Sequence, residues 1–532
     1  MRGNFDNSLR IARLILRRER VISTLWIIFL LAFSLSLAPA MNDMFSGDAR
    51  AALAESLKNP GMVAMMGPVF GADNYTAGAM YAGTMLLWIL ITVAIMNIFL
   101  IVRHTRADEE SGRVEVVRSL PTGRLANLNA AMISAVIVNV ILGLLMGLGL
   151  AATGVEGMSF DGSMLYGATV CAVGLVFAAI TAVFCQLAST SRGAMSYSVF
   201  TLGVCYMMRA AGDLNAEALS LISTLGLAQR VQVYVGNYWW PVFVLLAEAV
   251  ALTVAAYALN AIRDMGQGFI PVRPGRKEAS MALRSPLGLA FRLLRNTLIT
   301  WIIVLFVLGA SYGSVLNDIE QFVAESPLYQ SIIGVNANYS MAEMFTTMVN
   351  AMMALFCLIP LFAAALKPRA EEQDGRAEQV LNRAVSRVKY LGGYVFLAFA
   401  ASVLLQLATA TGLYLAAAAV LTQPIALSLL IKANLVYLPA LWVMIGVAIL
   451  LVGLAPRATT AVWGYFGFSF FITFIGRALS LPEWFAALTP YHYIPQLPVD
   501  VINWGSLAAL TAIAVVLTAA GFMFYRRRDL KV

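Results

Sequence analysis

Histidine, cysteine and charge are what this chain has least of. The two histidines, His104 and His492, stand far apart with no metal-ligand spacing around them, so neither is assigned a metal. The four cysteines, Cys171, Cys185, Cys205 and Cys357, lie singly inside apolar runs without a CxxC pair, which excludes a zinc ribbon and a disulfide framework and leaves them as small buried hydrophobes. No GxxxxGK[ST] phosphate loop occurs, and no polar segment is long enough to house a nucleotide-binding domain, so this polypeptide does not hydrolyse ATP itself. The ten-residue alternation of a membrane β-barrel is absent as well.

What is present is apolar length. Of 532 residues 60% are hydrophobic and 12% charged, and the mean hydropathy is +0.80, which places the chain in a membrane. A hydrocarbon layer ~30 Å thick takes about 20 helical residues to cross, and roughly twelve runs are that long. They fall at 21–41, 79–103, 127–153, 163–188, 194–211 and 241–262, then at 297–317, 342–366, 391–420, 434–455, 459–478 and 505–525. The first forty residues imitate a secretory signal, with a basic start and Ala38-Pro39-Ala40. The run is long enough to span, however, and a similar basic-then-apolar passage recurs before residue 300, so a retained first helix is expected.

With both termini in the cytoplasm, all 36 lysines and arginines except Arg50, Lys58, Arg209, Arg230, Lys432 and Arg477 fall on the cytoplasmic side. The net charge of +8 then reflects basic loops facing anionic headgroups, not nucleic-acid binding. Residues 263–296, with Gly266, Gly268, Pro271, Pro274, Gly275 and the basic Arg273, Arg276 and Lys277, read as a linker between a first half, 1–262, and a second, 297–532.

The halves repeat one another. RADEESGRVE at 106–115 and RAEEQDGRAE at 369–378 are identical at six of ten positions. Trp26-Ile27-Ile28 answers Trp301-Ile302-Ile303, Ala54-Glu55-Ser56 answers Ala324-Glu325-Ser326, Asn74-Tyr75 answers Asn338-Tyr339, and Arg209-Ala210 answers Arg477-Ala478. Six spans apiece return the chain to its starting side, so the repeats are parallel.

Both copies of the polar phrase sit in the cytoplasmic loop after the second span of their half. Gly112 and Gly375 suit helix N-caps, with Glu115 and Glu378 at the third helical position, where a carboxylate can reach back to free backbone N–H groups. Beyond Gly375, Val380, Leu381, Ala384, Val385 and Val388 recur at helical spacing, which predicts a short amphipathic helix over about 371–388, and its counterpart over about 108–120. A solvated loop whose acids balance nearby arginines is the plainer alternative for either copy alone. Two matched copies favour a handle for a pair of soluble partners.

Asp108 to Arg113 loosely fits the D-x-x-G-R phrase of major-facilitator transporters. The passage Glu115-Val-Val-Arg-Ser119-Leu-Pro121-Thr-Gly-Arg124 instead resembles the E-x-x-x-S-x-P-x-x-R passage of ABC-2 type exporter permeases. The second copy keeps Glu372, Gly375, Arg376, Glu378 and Arg387 but has Arg383 and Ala384 where Ser119 and Leu120 stand. Nearly the whole chain is similar to the fused twelve-span members of that family that export polyketide antibiotics of the tetronasin type. The resemblance implies an all-α membrane protein of about 12 transmembrane helices in two pseudo-symmetric six-helix ABC-2 (type V exporter-like) halves. Each half would open with an amphipathic elbow helix, carrying Arg10, Arg13, Arg17 and Arg20 in the first and Arg292 and Arg295 in the second.

It further implies coupling helices gripped by two copies of a separate ABC ATPase, which would bind the ATP and Mg; this chain itself carries no cofactor. The coupling residues carried over are Asp108, Glu109, Glu110, Gly112, Arg113, Glu115, Ser119 and Pro121, then Glu371, Glu372, Gly375, Arg376, Glu378, Leu381 and Arg387. The family places the substrate path on the second and fifth spans, here Met85, Met96, Asn97, Tyr197 and Tyr206, and Met348, Asn350, Met352, Phe356, Trp463, Phe466 and Phe470. Methionine and aromatic surfaces repack around varied apolar molecules. Ordinary helix packing or lipid contact is the competing account for each such residue.

Glu248, in the sixth span, would cost about 2.5 kcal/mol or more if charged and unpaired at the bilayer centre, so it faces a polar path, pairs, or stays protonated. Arg209 and Arg477 are expected to snorkel to the outer headgroups, with an outer gate pair as the alternative. The sequence therefore points to the permease subunit of an ATP-driven exporter of hydrophobic or drug-like compounds in a bacterial inner membrane. A proton-coupled secondary drug transporter is the second reading, and a non-transporting scaffold or sensor the third.

Overall fold

A computed structural model describes residues 3–45, 48–58, 60–270, 278–314, 316, 341–421, 425–475, 483–497 and 499–529. The repeat partners at 324–326 and 338–339, the linker residues 271–277, and Arg477 lie outside the described residues. The chain separates into two compact units, Met1–Pro274 and Gly275–Val532.

In the first unit α1 (Ser8–Met44) is followed by the short α2 (Asp48–Leu57) and α3 (Pro60–Met66), and by α4 (Ala77–Val102). A π-turn over Arg103–Ala107 carries α4 without a break into α5 (Asp108–Glu110), and α6 (Arg113–Arg118) follows. Long helices α7 (Ala126–Ala152), α8 (Phe160–Leu187) and α9 (Ser191–Asn215), two short ones, α10 (Glu217–Ile222) and α11 (Thr224–Gln229), and α12 (Trp240–Ile262) complete it. The second unit comprises α13 (Pro286–Ser314), α14 (Met341–Gln373), the short α15 (Arg376–Leu381), α16 (Arg387–Val420), α17 (Leu427–Leu435), α18 (Leu438–Leu454), α19 (Ala461–Ile475), the short α20 (Glu483–Ala487) and α21 (Trp504–Arg527).

Among the described residues, ten helical stretches are long and apolar enough to cross a membrane, so this is a multi-pass, all-helical membrane protein. The other two expected spans are helical without meeting both criteria. Serines, Tyr197 and Arg209 dilute the hydropathy of α9, and α19 is 15 residues long. The tenth expected span is a composite of α17 and α18, joined through Val436 and Tyr437.

The elbow segments are not separate helices. No glycine or proline interrupts residues 8–38, so Arg10 to Arg20 form the first turns of α1, whose 37 residues extend about 55 Å. Its expected two faces are there: Ile11, Ala12 and Ile15 are buried while Arg10, Arg13, Arg17 and Arg20 are exposed. Arg292 and Arg295 likewise lie within the continuous α13.

Side chains too small to hold helices apart set the packing inside each unit. A Cβ on Gly167 of α8 would stand 2.1 Å from the carbonyl oxygen of Gly143 on α7, and one on Gly412 of α16 would stand 2.1 Å from that of Phe306 on α13. Inside the first unit Asn97 of α4 and Asn139 of α7 exchange reciprocal hydrogen bonds of 3.0 and 2.7 Å, which satisfies two amides buried in an apolar core.

Candidate functional site

The two copies of the polar phrase occupy the arginine-rich end of their units. They form shorter helices than the sequence suggested. Glu371 and Glu372 belong to the last turns of α14, and only Arg376–Leu381 and Arg113–Arg118 make separate helices. Gly112 and Gly375 are their N-caps, at φ +72° and +69°, in the left-handed region where an L side chain is strained. The periodic run Val380 to Val388 does not continue as one helix, because the Ser386 hydroxyl caps the next membrane helix by accepting from the Lys389 N–H at 3.2 Å. An N-cap residue holds extended backbone, so the chain leaves the helix before it, and Arg387 and Val388 open α16.

The acids that precede the glycine of the phrase are engaged within their own unit. Asp108 accepts both Nη of Arg18 on α1, at 2.8 and 3.0 Å, and Arg113 Nη1 at 3.0 Å. Glu109 accepts from Arg106 (3.0 Å), from Arg263 (2.8 Å) and from the Gly266 N–H (2.7 Å). Glu110 accepts from the N–H and hydroxyl of Ser191, at the start of α9. One turn earlier, Glu19 of α1 meets Arg103 at 2.7 Å and His104 Nε2 at 2.8 Å, while His104 Nδ1 stands 3.6 Å from Asp108.

The second unit repeats the pattern. Glu371 holds Lys367 (2.8 Å) and Arg376 (2.7 Å), Asp374 also meets Arg376, and Glu372 accepts from Arg528 at 2.6 Å. Arg263 and Arg528 each cap the C-terminus of the last helix of their unit, where a cation also offsets the helix dipole. An acid at or just past the end of the second long helix thus ties the phrase to the end of the last helix in both units.

What remains turned outward differs from the expected set. Arg113, Glu115, Ser119 and Pro121 are exposed on α6 and the turn after it, beside Val116 and Leu120 at 70% and 58% exposure. Among the described residues Glu115 and Glu378 make no hydrogen bond back to their N-caps. In the second unit Arg376 is exposed, and Glu378, Leu381 and Arg387 are half-buried, with Arg387 donating to the Arg528 carbonyl at 2.5 Å.

The expected path residues divide into two groups. Asn97, Asn350 and Met96 are buried within their units, Asn97 against Asn139 and Asn350 accepting from Asn434 at 3.1 Å. Met348, Met352 and Phe356, four residues apart, share one half-buried stripe of α14. Phe356 stacks on Phe470 at 6.2 Å between ring centroids, and Trp463 and Phe466 extend that aromatic row along α19. In the first unit Met85 and Tyr206 are half-buried and Tyr197 is exposed on α9. The sequence reading missed Trp88 and Phe99, exposed on the same α4 stripe as Met85; helical spacing from Met85 would have found them. Glu248 is half-buried and accepts from the Thr224 hydroxyl at 3.1 Å.

Arg209 does not snorkel. It is fully buried, donating to the carbonyls of Val63 (3.3 Å), Ala64 (2.5 Å) and Met65 (3.4 Å), pairing with Asp213 at 3.2 Å, and lying 4.8 Å from the Tyr206 ring centroid. The Val63 carbonyl also accepts from the Gly67 N–H and that of Met65 from the Tyr206 hydroxyl, and the guanidinium fork reaches all three carbonyls at the end of α3. Arg18, Glu19, Arg106, Arg263 and Arg528 were given no site role from sequence, and His104 was named only as a residue without a metal. The matched ends of the two last spans, Arg263 and Arg528, carried a signal that the repeat could have revealed.

Comparison with known proteins finds a matching family and a relative over nearly the whole chain. The family model described as "Multidrug efflux system permease Rv1217c, C-terminal domain" matches residues 12–259 and 283–526. Over 534 aligned residues, 99% of this chain and 96% of the relative, the chain is 33% identical to the multidrug efflux system permease protein Rv1217c of Mycobacterium tuberculosis (strain ATCC 25618 / H37Rv).

Proposed function

The chain belongs to the Rv1217c multidrug efflux permease family, and from that premise we propose that it is the membrane subunit of an ATP-driven ABC exporter that moves hydrophobic or amphiphilic compounds, antibiotics among them, out of a bacterial cell across the inner membrane. Two copies of a separate ATPase dock at the arginine-rich, cytoplasmic end, and ATP and Mg belong to them. The observation that carries this reading is the presentation of α6. The acids just before it, Asp108, Glu109 and Glu110, are spent on internal ties, so the helix starts from a fixed point while Glu115, Val116 and Leu120 face outward as an apolar and acidic handle.

Rigid ties have a mechanical use. A push on α6 passes through Asp108 to Arg18 on α1, through Glu109 to Arg263 at the end of α12, and along α5 into α4, so three membrane helices receive it. In the second unit Glu372 and Arg528 give α15 the same path to α21. The stripes bearing Met85, Trp88 and Phe99 on α4, and Met348, Met352, Phe356 and the α19 aromatic row in the second unit, offer adaptable surface for apolar cargo.

The test is co-purification with the ATPase encoded beside this chain and drug-stimulated ATP hydrolysis in vesicles. Val116→Asp with Leu120→Asp should leave the fold intact and abolish both. Transport that persists in vesicles holding this chain alone, driven by a proton gradient, would replace the proposal with proton coupling, in which Glu248 is the relay to examine.

A further inference from the structure

Behind α6 lies a site that neither the ATPase nor the cargo explains. The side chains of Arg106, Arg118, Arg124 and Arg263 line a small cavity of about 20 Å³, in which Glu109 is the one carboxylate. That volume admits a single water-sized group. Around it charge is unbalanced: four guanidinium groups answer one acid. The imbalance also shows in hydrogen bonding, because the Nε atoms of Arg106, Arg118 and Arg263 are buried without a partner among the described residues, although Arg106 and Arg263 are more than nine-tenths buried. Buried donors are rarely left unmet. Asn260 Oδ1, also unpartnered, can take a bridging water.

The cluster recurs. In the second unit Arg369 and Arg528 pair with Glu372, Arg387 donates to the Arg528 carbonyl, and the Nε atoms of Arg369 and Arg528 are again buried and unmet. Arg124 donates to the Arg263 carbonyl at 3.0 Å as Arg387 donates to that of Arg528 at 2.5 Å. At the spacing that joins Glu109 to Glu372 and Arg124 to Arg387, which sets Asn382 and not Arg383 opposite Ser119, Leu381 stands at the place of Arg118, so the first unit has the larger surplus. Burial pulls Arg118 below its ordinary pKa; Glu109 opposes this, and Arg124 and Arg263 add to it, as expected of a cation lacking its counterion.

We propose that the arginine cluster around Glu109 binds a phosphate group, one oxygen entering the cavity and the remainder lying at its mouth beside the exposed Arg124. The walls come from the end of α4, from α6, from the start of α7 and from the ends of α8 and α12, so a bound phosphate pins α6 against four membrane helices at the level where these helices reach the headgroups. Arginine's planar fork suits phosphate oxygens. The phosphate can belong to an anionic glycerophospholipid or be free in solution, and the chemistry is shared.

The experiment needs neither ATPase nor cargo. The full chain is reconstituted in nanodiscs of phosphatidylcholine with and without phosphatidylglycerol, and separately kept in detergent with millimolar phosphate or chloride at equal ionic strength, and its thermal unfolding is followed. Phosphatidylglycerol is expected to raise the wild-type transition, and the increment should shrink roughly two-fold in Arg118→Leu, the residue found at the matching place in the second unit. Arg118→Lys should retain most of it. Arg124→Gln, at an exposed position, is a second variant that leaves α6 itself unaltered. A rise with inorganic phosphate in detergent assigns the site to free phosphate, and a rise with phosphatidylglycerol alone assigns it to lipid. If neither raises the transition, or if Arg118→Leu and Arg124→Gln respond as the wild type does, the inference is overturned.

Discussion

The Glu109 carboxylate lies 2.8 Å from Nη2 of Arg263, and the Glu372 carboxylate lies 2.6 Å from Nη2 of Arg528. Glu109 follows the second long helix of its unit, Glu372 lies in the last turn of its own, and both arginines cap the last helix. Each pair closes a loop of about 155 residues with one side chain on either end.

Breaking such a pair leaves its partner charged and buried. Glu109→Gln is expected to destabilise the first unit by about 3 kcal/mol, since Arg263 at 7% side-chain exposure loses its counterion. Arg263→Gln placed on that background should recover part of the loss. Thermal unfolding of the single and double variants in one lipid composition checks this, and additive losses would mean the two residues do not couple.

The glycines before α6 and α15 are needed for backbone conformation and not for space, because a Cβ at either position would meet nothing within 4 Å. Gly112→Ala and Gly375→Ala should each cost about 1–2 kcal/mol. Gly112→Asn should cost less, asparagine being the side chain that best tolerates this region. Should alanine prove as stable as glycine at both sites, the left-handed turn is not what positions these helices.

Arg209 satisfies three carbonyls and Asp213 together. Arg209→Lys offers a point charge in place of a fork and should keep the Asp213 pair while freeing the end of α3. Hydrogen exchange over residues 60–66 is then expected to rise at least several-fold, and further in Arg209→Gln. Unchanged exchange in both variants would show that α3 is held by other contacts.

On the proposed reading, the aromatic row Phe356, Trp463, Phe466 and Phe470 meets cargo. Phe470→Ala should shift the order in which compounds stimulate the ATPase, lowering bulky aromatic ones most, by about 5- to 30-fold if one ring contact of 1–2 kcal/mol is lost. Equal reduction for every compound would point to a packing role for the row.

Some of this was legible in the sequence because local rules fix it. Apolar length places the chain in a membrane, a glycine before an amphipathic turn marks an N-cap, and the alternation of arginine with Ile11, Ala12 and Ile15 gives α1 its two faces. Each depends only on neighbours within a turn or two of helix. The same rules over-extended the run from Val380 to Val388, where the Ser386 cap competed with helical periodicity and won.

The fate of the charges was decided elsewhere. Nothing local distinguishes Asp108, tied to Arg18 ninety residues away, from Glu115, which stays in solvent. Arg209 read as a snorkelling side chain until α3 brought its carbonyls alongside. An ion pair or a cap across such distances exists only once the helices have packed, because the energy that selects the partner comes from removing both groups from water together. Sequence determined that this is an all-helical membrane protein carrying one polar phrase twice; tertiary structure alone determined which of its few charges hold each unit together within itself and which are left to meet something else.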